Sequence, residues 1–190
     1  MVKLAHPFAE FSLSAQRITL RFLTAADAPA IYRIFSDRDV MRFWSRPPMA
    51  DPHEANVHVQ DVCAGYRSGD ALQLGIERND DRALIGTCTL FHFHWGSRRA
   101  ELGYALAHAA WGQGLMHEAL AALVTYAFND LDLNRIEADV DPRNVASARS
   151  LVRMGFRKEG HLRERWIVSG EVSDSDLYGL LRIDWPPRVR

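Results

Sequence analysis

The segment Ala109–Leu120, "AAWGQGLMHEAL", decides how the chain is read. Gly112 and Gly114 stand directly before a strongly helical run, although glycine costs about 1 kcal/mol relative to alanine within a helix. Such a junction needs bare backbone. From Leu115 the apolar residues fall at Leu115, Met116, Ala119, Leu120, Leu123, Val124, Ala127 and Phe128, the spacing of a helix with one buried face. The first turn of any helix has N–H groups without intrahelical partners, and with the helix dipole they attract anions. Glycine puts no Cβ between that backbone and a phosphate. The N–H groups of Gly112, Gln113, Gly114, Leu115 and Met116 are therefore spaced to surround a phosphate, and Glu118 suits the dipole. On this segment alone, the turn is either a phosphate cradle or a sharp connection that binds nothing. It is not a Walker loop, because no G-K-[ST] follows, and the dinucleotide fingerprint is incomplete.

Outward from the turn, the hydrophobic period changes several times. "RITLRFL" (Arg17–Leu23) alternates as a strand does, and Thr24 with Asp27 caps the amphipathic "AADAPAIYRIFSD". "VMRFWSRPPM" reads as a loop broken by Pro47 and Pro48. Asp51, Pro52 and Glu54 open a second helix that ends at Gly69. "ALQLGIER", "ALIGTCTLFHFHW" and "RRAELGYAL" read as three strands joined by hairpin turns. After the glycine-led helix come the strand "NRIEADVD", the helix "NVASARSLVRMG" closed by Gly155, and two strands around Gly170. The step from "ELGYAL" to "NRIEADVD" needs a crossover and is expected to be parallel. The fold class is therefore α/β (α+β): a mixed, largely antiparallel sheet flanked by helices. Residues 1–14 read as a loosely attached arm, 15–185 as one domain and 186–190 as a tail.

Composition narrows the function classes. The chain has 190 residues, 47% hydrophobic and 25% charged, with a formal net charge of −1. No basic stripe points to nucleic acid, and no apolar run approaches the ~20 residues that span a bilayer. The first residues lack the apolar core of a secretory leader. Two cysteines, Cys63 and Cys88, are too few for a disulfide framework. A cytoplasmic protein without nucleic-acid or membrane partners is expected, as a monomer or homodimer.

A second motif, "NVASARSLVRMGF" (Asn144–Phe156), follows the next strand. With "ITLRFLTAADAPAIY", "LIGTCTL" and "AELGYALAHAAWGQGLMHEAL", it makes the chain resemble the GNAT acetyltransferase superfamily, in its RimJ/RimL-like branch, from about Arg17 to Ile183. That resemblance implies a GNAT-like sheet with a splayed parallel pair at the cofactor site. It implies that backbone N–H groups of Gly112, Gln113, Gly114, Leu115 and Met116 hold the pyrophosphate of acetyl-coenzyme A (acetyl-CoA). The pantetheine arm then lies in the splay, bonded near Leu106 and Ala107, with Asn144 reaching its amides and Ser147 one turn further along. The sequence departs from the superfamily pattern twice. Ala109 stands where the pattern begins with Gln or Arg, and Leu151 stands where many relatives carry the tyrosine that protonates the leaving thiolate. Ser147 is the substitute acid named here, with solvent as the alternative.

The implied activity is acetyl transfer to a primary amine by direct attack in a ternary complex, since neither cysteine sits in a cofactor motif. A protein N-terminal α-amine is the first acceptor considered. A small-molecule amine (an amino acid, polyamine or antibiotic) and a non-catalytic acyl-CoA-binding module are the alternatives. Backbone near Leu106 is the expected oxyanion donor. Glu101 is the candidate base, acting through a water; its other reading is a strand carboxylate paired to Arg98 or Arg99. His92 and His94, two apart on a strand, are expected to border the acceptor cleft or face solvent, and no third ligand suggests a metal. Trp44 is either an acceptor contact or a lid over the core. "HLRERW" (His161–Trp166) reads as a half-exposed strand, with acceptor binding as its alternative, because late strands flank the cleft in the superfamily the chain resembles.

Overall fold

The computed structural model describes residues 7–185. The first six residues of the expected arm and the tail at 186–190 lie outside the described residues. The strands are β1 (Ser12–Ser14), β2 (Ile18–Phe22), β3 (Ala71–Arg78), β4 (Leu84–His94), β5 (Arg99–Leu106), β6 (Arg135–Val140), β7 (Arg157–Val168) and β8 (Glu171–Leu181). They form one sheet in the order β1-β2-β3-β4-β5-β6-β8-β7. All its pairings are antiparallel except β5 with β6, as the crossover through the glycine-led helix demands.

The helices are α1 (Ala28–Phe35), α2 (Arg38–Met41), α3 (Pro52–Ser68), α4 (Leu115–Asn129) and α5 (Val145–Arg153). Six consecutive residues of β3, Leu72 to Glu77, are buried, so helices cover both faces of the sheet there. α1 and α3 pack on β4 and β3, and α4 packs on β1, β2 and β4. Along α4 the residues the helical period predicts are buried, with Leu120, Leu123 and Val124 fully so, except that Met116 is only partly covered; Thr125 is buried as well. α3 has the expected capping box of Asp51 and Glu54, Pro52 in its first turn and a left-handed Gly69 at its end.

Two segments depart from the sequence reading. Ser12–Ser14 is not loose: it pairs with β2, and Phe11 stacks on Tyr126 of α4 with ring centroids 4.4 Å apart. The helix α2 begins within Asp37–Met41, because the Asp37 carboxylate accepts the Asp39 N–H at 2.8 Å and so starts a turn that hydrophobic period does not reveal.

The feature that positions the site is the β5–β6 pair. Its register runs Arg99↔Arg135, Ala100↔Ile136 and Glu101↔Glu137, and stops there. Beyond it β5 stays paired with β4 as far as Leu106, and β6 stays paired with β8 as far as Val140. The two parallel strands therefore open into a V directly after Glu101 and Glu137.

Candidate active site

The V opens into a cleft of about 720 Å³. Its sheet wall includes Glu101, Leu102, Gly103 and Tyr104 from β5 and Ala138, Asp139 and Val140 from β6. Asn144 and Ser147 at the start of α5 border it, and Arg42, Trp44, Arg46 and His58 form the opposite side. Arg165 and Trp166 of β7 also line it, so the strand at His161–Trp166 contributes cleft residues, as its alternative reading had it.

Asn144 caps α5, its Oδ1 accepting the Ser147 N–H at 3.1 Å. That bond fixes the amide and leaves its NH₂ group for the cleft. The Ser147 hydroxyl lies 2.8 Å from the Tyr104 hydroxyl. Sequence reasoning missed Tyr104. Its signal was the alternation of β5, which puts residues 102, 104 and 106 on one side of the strand. Burial pushes the Tyr104 phenol up to about 12 and so holds it protonated, although Ser147 opposes that shift. Leu151, where relatives carry tyrosine, is fully buried in the core and does not line the cleft.

Glu101 is part-exposed and lies 3.1 Å from His92 Nδ1. Neither Arg98 nor Arg99 pairs with it: Arg99 binds Glu137 at 2.7 Å and Arg98 faces Asp132 at 3.4 Å. The two histidines do not act together. A bulge between Phe91 and His94, with φ 49° at His92, breaks the period of two. His92 lines the cleft, while His94 points elsewhere and accepts the Ser97 N–H at 3.1 Å. Among the described residues no cluster of His, Cys, Asp and Glu is suited to hold a metal.

Ala107 N–H donates to the Ile85 carbonyl at 2.8 Å, which closes the β4–β5 ladder. Its N–H is therefore not available to a ligand. The alternation of an antiparallel ladder then aims the N–H and C=O of Leu106 away from β4, into the gap. The Leu106 carbonyl is taken by the Trp111 indole N–H at 2.7 Å. Its N–H remains directed at the gap.

The glycine turn lies past the end of β5. Gly112 (φ 73°) and Gly114 (φ 77°) are both left-handed, which explains two glycines in front of a helix. A Cβ on Gly112 would meet nothing within 4 Å, so the backbone there is open to a large ligand. The N–H groups from Gly112 to Met116 donate to no backbone or side-chain acceptor among the described residues. Arg17 braces the turn: its Nη1 donates to the Gln113 carbonyl at 2.9 Å, and its Nε to Glu118 at 2.5 Å. Five free donors and no Cβ fit a diphosphate.

The chain resembles known proteins over most of its length. The acetyltransferase (GNAT) domain family matches residues 17–157. The uncharacterized N-acetyltransferase YoaA of Bacillus subtilis is 36% identical, covering 90% of this chain and 96% of its own. The ribosomal protein uS5-alanine N-acetyltransferase of Escherichia coli is 28% identical, over 92% and 93%. The structure of Mycobacterium smegmatis RimJ in complex with CoA-disulfide superposes with a TM-score of 0.84 at 28% identity, covering 96% of this chain and 92% of that one. Domain match, fold and open parallel pair agree: the chain belongs to the GNAT family of N-acetyltransferases.

Proposed function

We propose that the chain transfers the acetyl group of acetyl-CoA to a primary amine, the α-amine of a protein N-terminus, by direct attack in a ternary complex. The observation that carries this reading is the opening of β5 from β6 directly after Glu101, with Glu101, Tyr104, Asn144 and Ser147 lining one cleft.

The thioester supplies an acetyl carbon already activated for attack. The five N–H groups of Gly112 to Met116 would hold its diphosphate. The Asn144 amide would bind the pantetheine arm. An α-amine has a pKa near 8, so a useful fraction is neutral at pH 7. Glu101 takes the remaining proton through a water, with His92 3.1 Å away as its partner. The Leu106 N–H stabilises the negative oxygen that develops during attack. Ser147 would donate a hydrogen bond to the departing sulfur, with its oxygen free to accept from the Tyr104 hydroxyl 2.8 Å away. Direct transfer is supported by the cysteines. Cys88 is fully buried, with its thiol pushed well up by burial, and Cys63 does not line the cleft.

The test is release of free thiol from acetyl-CoA with three amines: a peptide with a free N-terminus, the same peptide blocked at its N-terminus, and spermidine. Release with the free peptide and none with the blocked one supports the reading. Release with spermidine alone moves the acceptor to small amines. Cofactor binding without release from any amine establishes the non-catalytic alternative.

A further inference from the structure

One wall of the cleft carries cations that form no ion pair among the described residues. Arg38, Arg42 and Arg46 recur every fourth residue along α2 and the loop after it, and all three line the cleft. None of the three forms an ion pair with a carboxylate among the described residues. Arg46 is the most sheltered. Its guanidinium carbon lies 4.9 Å from the ring centroid of Phe35 and 6.0 Å from that of Trp44. These two rings, set edge to face at 89°, hold the planar cation in place but give it no hydrogen-bond acceptor. Glu54 acts on it only through space, because the Glu54 carboxylate is held by the N–H groups of Ala50 and Asp51. Beside it, the buried Nε2 of His58 has no hydrogen-bond partner.

The carboxylates of the cleft are, in contrast, occupied. Asp141 and Glu171 share Arg143. Asp139 is bound by Ser175 and approached by Arg165, and Glu101 has His92. The charge left over for a ligand is thus positive and lies on the helical wall, opposite the strands that carry the proposed chemistry. A guanidinium partly removed from water gains most from an anion with two oxygens in one plane.

We propose that Arg46, with Arg42 and Arg38, selects acceptors that bring a carboxylate together with the reacting amine. Such an acceptor is either a peptide with an acidic side chain near its N-terminus or a free amino acid. This rests on the acetyl-transfer reading above and names the acceptor class within it. A polyamine carries only cations and would be repelled by the same wall.

The experiment compares kcat/KM for four amines: a peptide beginning Ser-Glu-Glu, its Ser-Gln-Gln and Ser-Lys-Lys counterparts, and free glutamate. The wild type is expected to prefer the acidic over the neutral peptide by about tenfold, as one charge-assisted contact provides. Arg46→Met should reduce that preference to about one, through KM of the peptide, with KM for acetyl-CoA unmoved. Arg42→Met, at an exposed position that does not threaten the fold, should reduce it partway. Preference for glutamate over every peptide assigns the carboxylate to a free amino acid. Equal use of the three peptides would overturn the proposal while leaving acetyl transfer intact. So would an Arg46→Met effect on acetyl-CoA rather than on the peptide. Without thiol release from any amine, the acetyl-transfer reading itself fails. Calorimetric binding of the acidic and neutral peptides in the presence of coenzyme A then tests the arginine wall alone, and equal affinities sink it.

Discussion

The hydroxyl of Tyr104 on β5 lies 2.8 Å from the hydroxyl of Ser147 on α5 and 3.3 Å from the Ser147 carbonyl, so polar contacts join these two elements at the cleft. A serine alone is a weak acid. In the proposed relay the buried phenol donates to the serine hydroxyl, which is thereby oriented and turns its own proton outward to the cleft. Ser147→Ala should lower kcat by about tenfold, at the low end of general-acid effects. Tyr104→Phe should cost less, because it acts through Ser147. The double variant should be no worse than Ser147→Ala, since the two act as a unit. Single-turnover rates check this, and independent, multiplying losses would show that the pair is not a relay.

Glu101 is the base in this account, and its position at the end of the paired register gives it a direct line to the gap. Glu101→Gln keeps the shape and removes the acceptor of the proton. A loss of about a hundredfold in kcat/KM is expected, larger below pH 8 and shrinking as the pH rises and the amine deprotonates by itself. A pH profile parallel to that of the wild type would remove Glu101 from the proton path.

Arg17 should act on cofactor binding without touching the chemistry. It holds the Gln113 carbonyl and Glu118, and so sets the angle of the glycine turn against the start of α4. Arg17→Met is expected to raise KM for acetyl-CoA by about fivefold, less than the loss of a direct charge-assisted contact because Arg17 acts through the turn, with little change in kcat. A drop in kcat with KM constant would contradict the bracing role.

His58 makes the fold sensitive to acid. Burial, reinforced by Arg46, lowers its pKa to about 4 from an unfolded value near 6.5. The folded state therefore resists protonation where the unfolded chain accepts it. Its contribution to stability is complete above pH 6.5, falls as the pH drops from 6.5 to 4, and changes no further below that. A shift of this size corresponds to roughly 3 kcal/mol at most. Urea denaturation of the wild type and of His58→Gln at pH 7 and pH 4.5 should show the smaller pH difference in the variant. Identical differences would mean that other groups carry the acid sensitivity.

Much of this architecture was legible from the chain. The period of two in "ALQLGIER" and the switch to helical period at Leu115 place β3 and α4 without further help, and Gly112 and Gly114 are left-handed where the turn required it. Side-chain capping explains what was missed at α2, since a single Asp37 starts that turn against the hydrophobic pattern. The bulge at His92 could not be read, because a bulge is a mismatch between two strands and not a property of one. The same holds for the site. Glu101, Asn144 and Ser147 were candidates from the sequence and line one cleft, whereas Tyr104 and the Arg46–His58 wall acquire meaning only when strands and helices distant in sequence meet around it. Trp44, read as an acceptor contact or a lid, was the sequence candidate on that wall, and the spacing of Arg38, Arg42 and Arg46 was a second signal left unread.

Calorimetric titration with acetyl-CoA, on the wild type and on Gly114→Val and Asn144→Ala, tests the central claim most directly. The account predicts micromolar binding to the wild type. It predicts a loss of at least about tenfold in each variant, because valine is strained at φ 77° and its branches crowd the N–H donors, while alanine removes the amide that faces the gap. Absence of binding to the wild type, or unchanged affinity in both variants, would contradict the assignment of the glycine turn and the opening of β5 from β6 as the cofactor site.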